Sequence, residues 1–99
     1  MALAERLYIM RLDKFLKVSR IIKRRTVAKE ACDGGRVSLN GRPAKAGAEV
    51  QVGDIMEIRF GSRVGRYEIV SVQETVRKEN AAFMFRVLEE DAETLAQRS

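Results

Sequence analysis

Eleven lysine and arginine residues are concentrated in residues 10–45 of this 99-residue chain, and the chemistry open to them is the binding of phosphate. Between Met10 and Lys45 they face only three acidic residues, whereas the rest of the chain holds eight basic and eleven acidic residues. The usual partner of a positive field polarised in this way is a phosphate backbone. The candidate contacts are Arg11, Lys14, Lys17, Arg20, Lys23, Arg24, Arg25, Lys29, Arg36, Arg42 and Lys45.

The spacing of these cations works against folding. Lys14 and Lys17 are one helical turn apart, and Arg25 and Lys29 are four residues apart, so both pairs repel on a helix. A basic run is often only a solvated helix face, but clustering that lowers stability favours a partner. We therefore predict nucleic-acid contacts from Arg11 to Lys29, and further phosphate contacts by the cations beside the turn at residues 40–41.

Composition argues against chemistry carried out by this chain. It contains no histidine and a single cysteine, Cys32, so a general base near neutral pH and the usual ligands of a metal are missing. We expect no catalytic residue, no cofactor and no metal site. Asp13 is interpreted as a first-turn carboxylate that complements a helix dipole, and Cys32 as a small core residue.

Two short helices must position the cations. Leu12, Phe15 and Leu16 have the spacing of an amphipathic helix of about two turns, and a basic connection of residues 19–25 follows it. Thr26 is the expected N-cap of the second helix, which ends at a pair of glycines, residues 34–35. The inward face of this second helix is predicted to hold Val27, Ala28, Ala31 and Cys32.

A small antiparallel sheet is predicted to follow the helices. Residues 36–39 form a strand, and Asn40 with Gly41 is a strong signal for a two-residue turn. Pro43 restricts the return strand to a short or edge position, because proline donates no ladder hydrogen bond. Further strands are predicted at residues 55–60 and 66–72 with a loop at 61–65 between them, and residues 82–88 form a last strand or a helical turn.

The predicted fold class is therefore α+β, with two short helices packed on a small antiparallel sheet. Residues 10–88 form one domain. Residues 1–9 are a leader, interpreted as an upstream start, a short extra helix or a disordered arm. Residues 89–99 are an acidic tail that frays.

The order of these elements resembles the S4 RNA-binding domain, also called the alpha-L motif. The resemblance covers residues 11–72 and rests on LDKFL, a basic loop, a helix that ends in Gly-Gly, VSLNG, and VQVGD before a strand. It implies that the two helices and the following turn form one RNA-binding face. It also implies that this face binds structured RNA rather than melted single strands, which suits the scarcity of aromatic residues.

Among free-standing versions of this domain, the chain is similar to the RqcP-type factors of bacterial ribosome-associated quality control. The similar segments are MRLDKFLKVSRIIKRRTVAKEACDGGRV and NGRPAKA. This resemblance implies a cytoplasmic, monomeric factor that binds rRNA of the large ribosomal subunit and tRNA. It further implies that the factor helps a tRNA-delivering quality-control factor to add alanine tails to stalled chains, with Arg11 and Arg25 gripping rRNA and tRNA.

Three alternatives remain open. A heat-shock-type ribosomal S4 protein would rescue dissociated large subunits, although such proteins tend to carry a longer basic C-terminal extension. An RNA-modifying enzyme, such as a pseudouridine synthase, often carries this domain at its front end. A protein-interaction or membrane module would use the same cations, but the apolar residues that membrane binding needs are assigned to the core, so no membrane partner is expected.

Overall fold

Two short helices pack beside a five-stranded antiparallel sheet, which confirms the α+β class. The computed structural model describes residues 10–73 and 76–90. The predicted leader and most of the predicted acidic tail lie outside these ranges.

The first helix, α1 (Leu12–Val18), follows the predicted apolar spacing. The side chains of Leu12, Phe15 and Leu16 are completely buried. The start of α1 is held by a distant loop: the backbone N–H groups of its first two residues donate to the carbonyl oxygens of Ala48 (2.7 Å) and Ala46 (3.2 Å). This loop therefore satisfies two of the N–H groups that a helix start leaves without an intrahelical partner.

The second helix, α2 (Arg25–Asp33), begins earlier than the sequence predicted. Its N-cap is Arg24, which makes no side-chain capping hydrogen bond, and the prediction that Thr26 caps the helix is wrong. The physical reason is that the N–H of Ala28 donates to the carbonyl of Arg24 at 3.0 Å, so the first helical turn already closes two residues before Thr26. The predicted glycine end is confirmed, since Gly34 is the C-cap.

Val27 does not belong to the buried face of α2, contrary to the prediction. The inward positions are Ala28, Ala31 and Cys32, which recur at i, i+3 and i+4. Val27 lies at the margin of that stripe, and 46% of its surface is exposed.

The connection between the helices has two buried apolar residues and one arginine in a left-handed backbone conformation. Ile21 and Ile22 are buried, and the N–H of Ile22 donates to the carbonyl of Leu16 at 3.1 Å. Arg20 has a φ of 62°, in the left-handed region that glycine usually occupies at the end of a helix. A residue other than glycine loses roughly 1–2 kcal/mol of stability in this conformation, so local stability does not explain why an arginine occupies this position.

Seven strands complete the described fold. They are β1 (Met10–Arg11), β2 (Val37–Leu39), β3 (Arg42–Pro43), β4 (Glu49–Val50), β5 (Ile55–Phe60), β6 (Arg63–Ile69) and β7 (Phe85–Glu90). The large sheet has the order β3-β2-β5-β6-β7, and β1 pairs separately with β4. The β1–β4 pair places Arg11 directly before α1, where it is the N-cap residue.

The β2–β3 hairpin forms as predicted. Asn40 and Gly41 both have positive φ values, 53° and 85°, which is the conformation of a two-residue hairpin turn that matches strand twist. The Asn40 side chain also accepts the N–H of Ile55 at 2.9 Å and donates to Asp54 at 3.1 Å, which ties the turn to the next strand. The return strand is short and lies at the sheet edge, as Pro43 requires.

Several strand boundaries differ from the prediction, including the end of β6, which lies at Ile69 rather than at residue 72. The predicted loop at 61–65 is a tight turn, because Phe60 pairs directly with Arg63 and only two residues remain between the strands. Residues 82–88 contain both predicted alternatives, since a 3-10 helix (Lys78–Met84) leads directly into β7. Strand β7 continues to Glu90, so Glu89 lies opposite Arg66 instead of starting the tail.

The core lies between the two helices and one face of the sheet. It contains Leu12, Phe15 and Leu16 of α1 and the alternating residues Met56 and Ile58 of β5 and Tyr67 and Ile69 of β6, all completely buried. Tyr67 meets Phe85 of β7 edge to face, with ring centroids 5.5 Å apart. This shared core fixes α1 and α2 relative to each other and to the hairpin, so the backbone positions that carry the cations of all three elements are fixed relative to one another.

Candidate nucleic-acid interface

The predicted cations lie at the surface. Ten of the eleven are exposed, and Lys14 is half-buried. They come from β1, from both helices, from the connection between the helices, and from the segment that follows α2. Arg42 stands apart from the helices, on edge strand β3 opposite Leu39.

Asp13 joins two of these cations. Arg11 donates through Nε and Nη2 to the two carboxylate oxygens of Asp13, each at 3.2 Å. Arg25, from the second helix, places its Nε 3.5 Å from Oδ2 of the same carboxylate. Asp13 also accepts the backbone N–H of Lys14 at 2.8 Å. One carboxylate therefore fixes the spacing of two guanidinium groups that come from different elements.

Asp13 is buried, whereas its partners reach solvent. Only 3% of its side chain is exposed, against about half of the Arg11 and Arg25 side chains. Burial by itself would raise the pKa of Asp13, but the hydrogen bond from Arg11 and the charge of Arg25 outweigh it and hold the pKa below its usual value. The carboxylate is therefore ionised at neutral pH, and each arginine keeps an exposed side toward solvent.

This arrangement predicts a specific acid sensitivity. Because the folded-state pKa of Asp13 is depressed below 3.8, the stabilisation that its charge provides is fully present above that pH and is lost as the pH falls through the folded pKa. The difference in unfolding free energy between wild type and Asp13→Asn should therefore be largest at neutral pH and should shrink below pH 3.8. Urea unfolding of both proteins across this range measures the difference, which would stay constant if Asp13 were not charge-paired.

The interpretation of Asp13 as a residue that only complements the helix dipole missed this role. A signal was present in the sequence, because Asp13 is followed by Leu16 three residues later on the apolar stripe of α1. An acidic side chain on a buried stripe needs a cationic partner, and Arg11 and Arg25 are the cations at the starts of the two helices.

A second junction forms at the end of α2. Asp33 accepts the backbone N–H of Ala46 at 3.0 Å and lies 3.6 Å from Nζ of Lys29. Lys45 donates to the backbone carbonyl of Asp33 at 3.4 Å. These contacts bring Lys29 and Lys45, which are sixteen positions apart in the sequence, to the same end of the helix.

The start of α2 is electrostatically unfavourable in the free protein. Arg24 and Arg25 lie at the positive end of the helix dipole, and the first turn contains no acidic residue. The pairing with Asp13 offsets this for Arg25, but Arg24 at the helix start and Arg20 in the left-handed conformation are cations at positions where they lower stability. An anion bound at this surface would relieve the repulsion.

A groove joins part of the basic surface to the sheet. Lys23, Arg24 and Arg36 line it, as does Arg59 of β5, which the sequence analysis did not identify. The available signal was strand alternation: Ile58 points into the core, so Arg59 points away from it.

The remaining chemistry-bearing residue, Cys32, is a core residue as predicted. It is buried, and burial first, then the nearby charges of Asp13 and Asp33, raises its pKa to about 12. Its thiol is therefore protonated and unreactive at neutral pH. Within residues 10–73 and 76–90, no group of three His, Cys, Asp or Glu side chains could hold a metal ion, and none of the helices there is long and apolar enough to span a bilayer.

Comparisons with known proteins agree with this architecture. Residues 10–55 match the family model of the S4 domain. The chain is 57% identical over 82 residues to the "RQC P-site tRNA stabilizing factor" of Halalkalibacterium halodurans, which covers 83% of this chain and 93% of that protein. It is 51% identical to the protein of the same name from Bacillus subtilis, over 83% and 95% of the two chains. The solved structure of Heat Shock Protein 15 from Vibrio cholerae is similar with a TM-score of 0.74 and 29% identity, over 92% of this chain and 90% of that chain.

Proposed function

This chain belongs to the S4-domain family of the RQC P-site tRNA stabilizing factors, and from that premise we propose that it is a non-catalytic RNA-binding factor of ribosome-associated quality control. The family membership confirms the resemblance drawn from the sequence. The eleven predicted cations are the proposed contacts, with Arg11 and Arg25 at the centre of the face.

The observation that carries this proposal is the shared pairing of Arg11 and Arg25 with Asp13. Guanidinium groups bind phosphate through two parallel hydrogen bonds, so their value depends on being held at a fixed spacing and orientation. A buried carboxylate supplies that constraint while about half of each arginine side chain remains exposed. Two oriented guanidiniums on a rigid helical surface suit the phosphates of a folded RNA.

We propose further that the protein acts as a monomer in the cytoplasm, where it binds rRNA of the large ribosomal subunit and tRNA. The names of the relatives support P-site tRNA as one of the two RNA ligands. The factor would then support a tRNA-delivering partner in adding alanine to stalled chains. A reconstituted reaction with purified large subunits, that partner and this protein tests the last step, because alanine addition should depend on Arg11 and Arg25.

A second candidate function is the rescue of dissociated large subunits in the manner of a heat-shock-type ribosomal protein. The structural similarity to Heat Shock Protein 15 supports it, whereas the higher identity to the quality-control factors favours the first candidate. The same reconstitution separates the two, since a rescue factor would bind the subunits without stimulating alanine addition.

We predict strongly salt-dependent binding to purified large ribosomal subunits. Neutralising phosphates releases condensed counterions, so the logarithm of the affinity should fall linearly with the logarithm of salt concentration. If several of the predicted cations contact phosphate, the slope should be on the order of −4 to −7. Co-sedimentation across a salt series measures it, and a nearly flat dependence would contradict the electrostatic interface.

A further inference from the structure

A partly apolar groove lies where the basic connection, α2 and β5 meet. Its volume is about 320 Å³. Its accessible apolar lining is Val27 of α2, which is 46% exposed, and half-buried Phe60 of β5. The buried side chains of Ile22 and Ile58 lie next to them. Val27 is the residue whose exposure the sequence did not predict, and the groove is the surface on which it is exposed.

The charged residues that line the groove are all cations. They are Lys23, Arg24, Arg36 and Arg59, and no acidic residue among the described parts of the chain lines it. The first three are among the predicted RNA contacts, so the groove continues the proposed RNA-binding face. An occupant that suits this lining has an apolar face for Val27 and Phe60 and negative charge beside the cations at the rim.

We propose that this groove is a subsite for one nucleotide of the bound RNA, whose base leaves its helix and enters the groove while its phosphate stays among the rim cations. The inference rests on the proposed RNA-binding function and extends it from backbone contact to the seating of a base. Every base has an apolar face that packs on aromatic and aliphatic side chains, and arginine planes stack on bases as well. The volume is at the lower end for ligand sites, which suits a single ring system.

A short acidic peptide with an apolar side chain is the competing occupant. The observations favour the nucleotide, because the rim cations are continuous with the basic surface on α2 and its preceding connection, and because Phe60 provides an aromatic surface in the groove. The nine residues that follow Glu90, DAETLAQRS, give a peptide of suitable chemistry for the comparison.

The test is a nuclear magnetic resonance titration of the full ¹⁵N-labelled chain. Four probes are compared: adenosine monophosphate, ribose 5-phosphate, inorganic phosphate and the peptide DAETLAQRS. Adenosine monophosphate should shift the backbone amides of Val27, Ala31 and Phe60. Ribose 5-phosphate and inorganic phosphate, which lack a base, should shift only amides of the rim, near Arg24 and Arg36.

Paired variants distinguish the groove from general apolar contact. Val27→Gln removes one apolar wall without adding charge, and Val70→Gln changes a valine of equal exposure, 46%, elsewhere on the surface. Val27→Gln should weaken adenosine monophosphate binding at least about fourfold. This is the loss of affinity expected when roughly one methylene group is no longer buried by the ligand. Val70→Gln should bind like wild type.

The possible results separate this inference from the proposed function. The inference is overturned if adenosine monophosphate shifts only the rim, if both variants bind alike, or if only the peptide shifts the groove. In each of these cases, salt-dependent binding to large subunits would leave the proposed function intact. Groove shifts by adenosine monophosphate without any binding to large subunits would instead count against the proposed function.

Discussion

Replacing Phe15 by alanine should lower the free energy of unfolding by about 3–5 kcal/mol, the typical loss for a buried phenylalanine. Its ring is completely buried within the core formed by the helices and the sheet. Removing it therefore loses the transfer free energy of the ring and leaves a cavity, because the rigid sheet behind α1 restricts collapse. Urea or thermal unfolding of the purified variant measures the loss.

Phe83 provides the matched control. It is the same residue type, but 73% of its surface is exposed on the 3-10 helix. Phe83→Ala should change stability by no more than about 0.5 kcal/mol, as is usual for surface positions. A similar loss for both variants would show that the core is misplaced, and so would a loss below about 1 kcal/mol for Phe15→Ala.

The sequence predicted those parts of the fold that local chemistry decides. The apolar spacing of Leu12, Phe15 and Leu16 defines α1, because only a helix brings i, i+3 and i+4 to one side. Asn40 with Gly41 decides the first hairpin because few residues adopt two consecutive positive φ values. The edge position of Pro43 follows from its missing N–H.

The elements that were predicted wrongly are those decided by partners distant in sequence. Thr26 has the chemistry of an N-cap, but Arg24 already closes the first turn of α2. Val27 has the hydropathy of a core residue, but the neighbouring elements cover only the stripe of α2 formed by Ala28, Ala31 and Cys32. Val27 lies beside this stripe and stays exposed. Glu89 begins an acidic segment that is typical of a tail, but its backbone pairs with Arg66 at the edge of β6, so it belongs to strand β7.

The candidate site was predictable in its composition and not in its organisation. Charge density alone identified the cations, and the structure places ten of the eleven at the surface. Their role in RNA binding stays a prediction. The pairing of Asp13 with Arg11 and Arg25 needed the structure, because residues 13 and 25 meet only through the packing of α1 on α2. Sequence reasoning treats such arginines as independent solvated charges, whereas here they share one buried counterion.

That shared counterion determines how the basic face must be tested. Removing Arg25 takes one of two cations from a buried carboxylate, so Arg25→Ala should destabilise the fold to some extent as well as weaken binding. The remaining pair with Arg11 and the partial solvent exposure of Arg25 limit that loss. Binding must therefore be compared far below the melting temperature of every variant, with circular dichroism confirming that each protein is folded.

Under those conditions, Arg25→Ala should lower the affinity for large ribosomal subunits by about 10- to 100-fold. The expected loss corresponds to roughly 1.5–3 kcal/mol, the range for hydrogen bonds to a charged group. Arg11→Ala should have a similar effect, because the same carboxylate orients both side chains. Arg25→Lys should retain only part of the binding, since an ammonium group keeps the charge but loses the two-pronged geometry.

Arg66→Ala is the control that shows the effect of removing an ion-paired arginine outside the proposed interface. The side chain of Arg66 is 45% exposed, against 48% for Arg25, and it also lies near a carboxylate, 3.7 Å from Glu89. It belongs to β6, outside the helices, their connection and the β2–β3 hairpin, so Arg66→Ala should bind like wild type apart from a small electrostatic decrease. If Arg25→Ala and Arg66→Ala bound equally well while folded, affinity would depend on net charge alone. The oriented pair of guanidiniums held by Asp13 would then not be the centre of the interface.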